Sequence, residues 1–171
     1  MYATLSSFLI KFFKKNQVFK YGFNLSPMYR RTTGKIHYVS EDLKTITIKI
    51  SKNYKNMNYA RSIFGGSLFS ATDPIFMVQL VNLLGDDYIV WDKKSTIHFK
   101  KPANDTVYSH FTFNDDEITD IKSKIKQENK IDIVKDINLS NKDGSIVFAE
   151  ISKTLYIADK KYYKNRLQQR A

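Results

Sequence analysis

The period of the hydrophobic positions changes several times along the chain, and each change marks an element. Between Met1 and Lys20, the residues Leu5, Phe8, Leu9, Phe12 and Phe13 recur at helical spacing with Lys11, Lys14 and Lys15 between them. This predicts a short amphipathic helix that packs its Phe face onto the rest of the chain. From Thr33 the period becomes two: Ile36 and Tyr38 precede a turn at Ser40-Glu41-Asp42, and Thr45 to Ile50 alternates strictly, as in a β-hairpin. A polar stretch from Lys52 to Asn58 follows, and Gly65-Gly66 then opens an apolar segment from Leu68 to Leu84 that ends near Gly85. Phe69, Phe76, Met77, Leu80, Val81, Leu83 and Leu84 do not fit one narrow stripe, so this helix is expected to be covered on most sides.

Four strands are expected after it, at Tyr88 to Lys100, Val107 to Phe113, Ile131 to Leu139 and Ser145 to Ile157. Asp115 to Gln127, acidic first and lysine-rich later, reads as a short exposed helix, and Asn141-Lys142-Asp143-Gly144 as a hairpin turn. In the first of these strands Ile89, Trp91, Ile97 and Phe99 share one parity. Trp91 is therefore expected in the core, with Asp92 and Lys93 either an ordinary polar strand end or groups that face an interface.

A single buried helix among antiparallel strands suits an α+β domain whose sheet wraps around one long central helix, the hotdog arrangement, with an extra helix at the N-terminus. The expected boundaries are 1–20 for that N-terminal helix, 21–158 for the domain and 159–171 for a basic tail. An exposed edge on such a sheet is usually protected by a second copy, so a homodimer or a dimer of dimers is expected.

Composition narrows the chemistry. The 171 residues carry a formal charge of +11, mostly from lysines spread along the chain, so no nucleic-acid partner is expected. No acidic residue precedes Glu41, which leaves weak contact with a membrane surface open to the N-terminal helix. That helix lacks the features of a secretory signal. With no cysteine, thiolate metal sites, disulfides and a cysteine nucleophile are excluded, and a reducing cytoplasm is the simplest location. His37, His98 and His110 stand far apart and read as strand residues, so neither a metal nor a cofactor is expected.

The candidate site is the run Asn58 to Asp73, where a loop enters the core helix. Its residues resemble the motif of hotdog thioesterases related to the phenylacetate-pathway enzymes, in which Asn, His-Gly-Gly and a helical acid recur at this spacing. The runs Phe64 to Phe69, Ala71 to Pro74, Leu84 to Lys93 and Phe99 to Pro102 are similar to the hotdog subfamily catalogued as domain of unknown function 4442, and the likeness spans roughly Leu25 to Ile157.

The residues carry a chemical reading of their own. Gly65 and Gly66 allow close backbone approach, and the N–H groups opening the helix have no internal partners, which points to Gly66 as an oxyanion donor for a thioester. Asp73 is expected in an apolar setting, with a raised pKa, as general base or nucleophile. The competing reading of Asp73-Pro74 is a helix start.

The resemblance implies hydrolysis of an acyl-coenzyme A across a dimer interface, with Asp73 as the acid-derived base and Asn58 orienting water or the acyl carbonyl. Phe64, Gly65, Arg61, Asp92 and Lys93 are expected to contact substrate, with Arg61, Lys93, Lys100 and Lys101 reaching the coenzyme's phosphates. Coenzyme A enters only as part of the substrate. Phe64 stands where the family carries His, and Phe donates no hydrogen bond, so non-catalytic acyl binding is the alternative.

Overall fold

The computed structural model describes residues 13–169. Leu5, Phe8, Leu9, Lys11 and Phe12 of the expected N-terminal helix lie outside them, as do the last two residues of the expected tail. Helix α1, Lys15–Leu25, begins after the exposed Phe13 and runs through the boundary set at residue 20. It buries Val18 and Phe19, and Phe19 stacks on Phe23 with ring centroids 4.8 Å apart. The short α2, Pro27–Arg31, follows after Ser26.

Strands β1 (Gly34–Val39) and β2 (Thr45–Ile50) form the expected hairpin. The core helix comes in two pieces, α3 (Gly65–Thr72) and α4 (Ile75–Leu84). Then come β3 (Tyr88–Phe99), β4 (Val107–Thr112), α5 (Asp115–Glu128), β5 (Lys130–Ser140), β6 (Val147–Asp159) and α6 (Lys160–Gln168). Tail residues 160–168 are thus helical, and the Asp159 side chain caps them by accepting from the Tyr162 N–H. Asn114 and Glu117 form a reciprocal capping box on α5.

All six strands join in one antiparallel sheet of order β1-β2-β4-β5-β6-β3. The β4 to β5 junction is narrow, pairing only Tyr108 with Ser140. Buried residues on one face, among them Ile46, Ile48, Ile50, Phe111, Leu139, Ile151, Leu155 and Ile157, pack against Leu68, Ala71, Ile75, Phe76 and Leu80 of the core helix. That is the hotdog fold. The helix is less enclosed than its composition suggests, since Val81 is exposed and Phe69, Met77 and Leu83 are partly buried.

The two sheet edges differ. On β1 the Asn24 side chain of α1 accepts from the Ile36 N–H at 2.8 Å and donates to the Ile36 carbonyl at 2.9 Å, and Asn16 donates to the Val39 carbonyl. Helix α1 thereby occupies three hydrogen-bonding groups of that edge, whereas among the described residues β3 pairs on one side only.

The break at Asp73-Pro74 follows from proline's missing N–H, which cannot serve the Ser70 carbonyl. Two carbonyls beside the break find partners elsewhere: the buried Tyr29 hydroxyl donates to Ala71 at 3.0 Å, and the Lys153 ammonium donates to Asp73. Burial pushes the Tyr29 phenol above its ordinary pKa. Tyr29→Phe removes the first of these bonds and leaves a buried carbonyl without a donor, so it is expected to lower unfolding free energy by about 1–2 kcal/mol. Urea denaturation of the two proteins measures the difference.

Candidate functional site

The loop before the core helix is organised by asparagines. Asn56, fully enclosed, donates to Thr33 Oγ1 and to the Ser51 carbonyl and accepts from the Asn53 N–H, while its own carbonyl takes the Phe64 N–H at 2.7 Å. Asn58 uses both ends of its amide on one neighbour: Oδ1 accepts from the Ser62 N–H and Nδ2 donates to Ser62 Oγ at 2.9 Å. These two bonds fold the loop. Arg61 occupies the left-handed region at φ 58° and is exposed.

This loop and the segment after β3 bound an open groove of about 400 Å³. Asn58, Gly65 and Leu68 lie along one wall, and Phe99, Lys100 and Lys101 along the other. Lys100 is paired with Glu150 at 2.8 Å. The groove brings Asn58, Gly65, Lys100 and Lys101 together and includes neither Gly66, Asp73 nor Arg61.

Both glycines are covered by phenyl rings. A Cβ on Gly65 would lie 2.7 Å from Phe99 Cζ, and one on Gly66 would collide with Cε1 of Phe64. As the first residues of α3, Gly65 and Gly66 have N–H groups without intrahelical acceptors. Phe64, itself exposed, leans its ring over the second of them.

Asp73 lies seven residues beyond Gly66, about 10 Å along a helix at 1.5 Å per residue. It is not the cap of a helix start: Pro74 holds the N-cap position of α4, and no side chain caps there. Nor is it in the apolar setting expected, for its side chain is 52% exposed. It meets Lys153, whose side chain has no exposed surface. The Lys153 ammonium donates to the Asp73 backbone carbonyl and to Oδ1 at 3.2 Å, and stands 3.1 Å from Asp92 Oδ1. Burial holds the Asp92 carboxyl above its ordinary pKa; the Lys153 charge pulls it back down and Asp73 adds a push upward.

The positions of Trp91, Asp92 and Lys93 correct the parity argument. A bulge between Asp92 and Lys94 shifts the β3 register, so Val90 and Asp92 before it face inward with Ser95 and Ile97 after it. Trp91 is turned outward and is 52% exposed, whereas the Asp92 side chain is 24% exposed and points at Lys153. Lys93 is outside and pairs with Asp132, away from the cluster.

Lys153 was missed among the sequence candidates. A signal existed: Ala149, Ile151, Leu155 and Ile157 share one parity of β6, and Lys153 is the charged residue in that apolar series. His37, His98 and His110 are strand residues, and His110 Nδ1 lies 3.0 Å from Thr47 Oγ1. Among the described residues no three His, Asp or Glu side chains gather as a metal site.

Residues 15–157 match the profile of the family described as Domain of unknown function (DUF4442). No curated protein matches the sequence. Among solved structures, a Chlorobaculum tepidum protein of unknown function is similar with a TM-score of 0.68 at 12% identity, covering 84% of this chain and 94% of its own. A Pseudomonas aeruginosa protein of unknown function, described as a "Probable Thioesterase", superposes with a TM-score of 0.67 at 16% identity, covering 76% of this chain and 85% of that one. A Haemophilus influenzae thioesterase is similar with a TM-score of 0.55 at 12% identity over 76% of this chain and 81% of that one. At such identities the likeness is one of fold, and the profile match gives the assignment: the chain belongs to the domain of unknown function 4442 family and is built on the hotdog fold.

Proposed function

We propose that this protein hydrolyses an acyl thioester, of the acyl-coenzyme A class, at a site formed between two copies of the chain. The observation that carries the proposal is the Asp73 carboxylate, half exposed on the core helix and fixed by a buried ammonium, in a fold shared with proteins described as thioesterases. Asp73 takes a proton from water as the water oxygen adds to the thioester carbonyl carbon. The carbonyl oxygen gains negative charge, which the N–H groups at the start of α3 stabilise. The carbon–sulfur bond then breaks, the proton passes to the leaving sulfur, and a carboxylic acid and a free thiol result.

The roughly 10 Å between Gly66 and Asp73 is too long for both to touch one carbonyl group within a chain, at about 1.5 Å of helix rise per residue. A second copy supplies the missing half. The one-sided β3 edge, with Trp91 and Phe99 exposed along it, supports pairing there. The groove between Asn58 and Lys101 suits the pantetheine arm, and Lys101 in its lining, together with the exposed Arg61 outside it on the same loop as Asn58, suits the coenzyme's phosphates.

A specific observation favours a second reading. The Phe64 ring lies over Gly66 where the family resemblance would place a polar His, which suits a protein that binds acyl thioesters without cleaving them.

Thiol release from a panel of acyl-coenzyme A esters tests the first reading. Release is expected with at least one ester, and Asp73→Asn is expected to lower it by about 100-fold or more, the usual contribution of a positioned base. Saturable binding with the thioester intact at high enzyme concentration would favour the second reading instead. Light scattering is expected to give at least twice the chain mass of 20.0 kDa. A monomer at working concentration would overturn a site shared between copies.

A further inference from the structure

The carboxylate assigned as base is not secured by its own helix. Asp73 sits where Pro74 interrupts the ladder, and its side chain reaches across to β6, where Lys153 takes both its backbone carbonyl and its Oδ1. Two acceptors on one residue, held by one ammonium, fix the residue's position and its rotamer together. With Oδ1 engaged and the side chain half exposed, the second carboxylate oxygen is left to water or substrate.

The neighbouring charges single out this lysine. On β5, Lys135 stands opposite Lys153 in the register, but its ammonium is bonded to Glu117 of α5 at 2.6 Å and lies 4.6 Å from the Phe113 ring centre. Lys153 is thus the cation left to the two aspartates, Asp73 from the helix and Asp92 from β3. A buried ammonium is expensive to desolvate unless it is paired and hydrogen-bonded, and here three oxygens surround it.

We propose that Lys153 is the positioning residue of the site, holding Asp73 by its carbonyl and Oδ1 so that the other carboxylate oxygen is presented outward, with Asp92 as the second counter-ion. The kinetic consequence rests on the thioesterase reading; the cluster itself does not.

Lys153→Met keeps an unbranched chain and removes the charge. Its kcat is expected to fall about 100-fold with KM changed less than about twofold, the scale of a misplaced reacting group. A purely structural lysine would leave the kcat of the folded variant unchanged, and a folded Lys153→Met protein with wild-type kcat overturns the proposal.

Carbon-13 carboxyl titration of Asp92 reads the cluster without turnover. Its midpoint is expected to rise in Lys153→Met and to fall in Asp73→Asn, following the directions in which those two charges act on it. An unmoved midpoint in either folded variant overturns the proposal. If the wild-type protein releases no thiol, the thioesterase reading fails, and these midpoints still decide the role of Lys153. Should Lys153→Met not fold, Lys153→Gln takes its place in both measurements, with the same outcomes expected.

Discussion

An ammonium with no exposed surface lies between the sheet and the core helix, and the arrangement of three elements around it follows from what a buried cation needs. Removing such a group from water costs several kcal/mol, and only close anionic and carbonyl oxygens offset that. Lys153 finds them on α3 and on β3. The helix break at Pro74, the inward turn of Asp92 and the depth of β6 in the sheet therefore act as one unit. A local fault in the helix becomes an anchor because its unserved carbonyls are taken up by Tyr29 and Lys153.

The sheet shows a similar division of labour. Helix α1 engages the β1 edge with two asparagine side chains, of which Asn24 bonds Ile36 as a neighbouring strand would, so that edge is partly served within the chain. The opposite edge belongs to β3, the strand that also carries Asp92 inward and Trp91 outward. The strand that contributes Asp92 to the charged cluster thus has, among the described residues, a neighbouring strand on one side only.

Much of this was readable in the chain. Alternation located the hairpin and the later strands, and the glycine pair marked the start of the core helix. Trp91 and Asp92 were misplaced because parity counting assumes an uninterrupted strand, and the bulge after Asp92 leaves no mark in the hydrophobic pattern. Asp73 could be read as a helix start or as a reacting group; the first reading falls because Pro74 holds the N-cap position, and the partner Asp73 does have, Lys153, lies eighty residues away in sequence, beyond any local pattern. The helix after Asp159 was hidden by its charge, since six of the thirteen residues from 159 to 171 are Asp, Lys or Arg. Its cap is a single carboxylate whose meaning depends on the strand that ends there.

Gly34 lies against the same helix from the other side. Any Cβ placed there would come 2.7 Å from the Ala71 Cβ, so β1 and α3 touch through the two smallest side-chain positions available. The consequence is a coupled size limit: a larger residue at 34 or 71 lifts α3 off the sheet, and α3 carries Asp73 with it. Variation at two packing positions with no chemistry of their own is thereby restricted by the placement of a carboxylate two residues further along the helix.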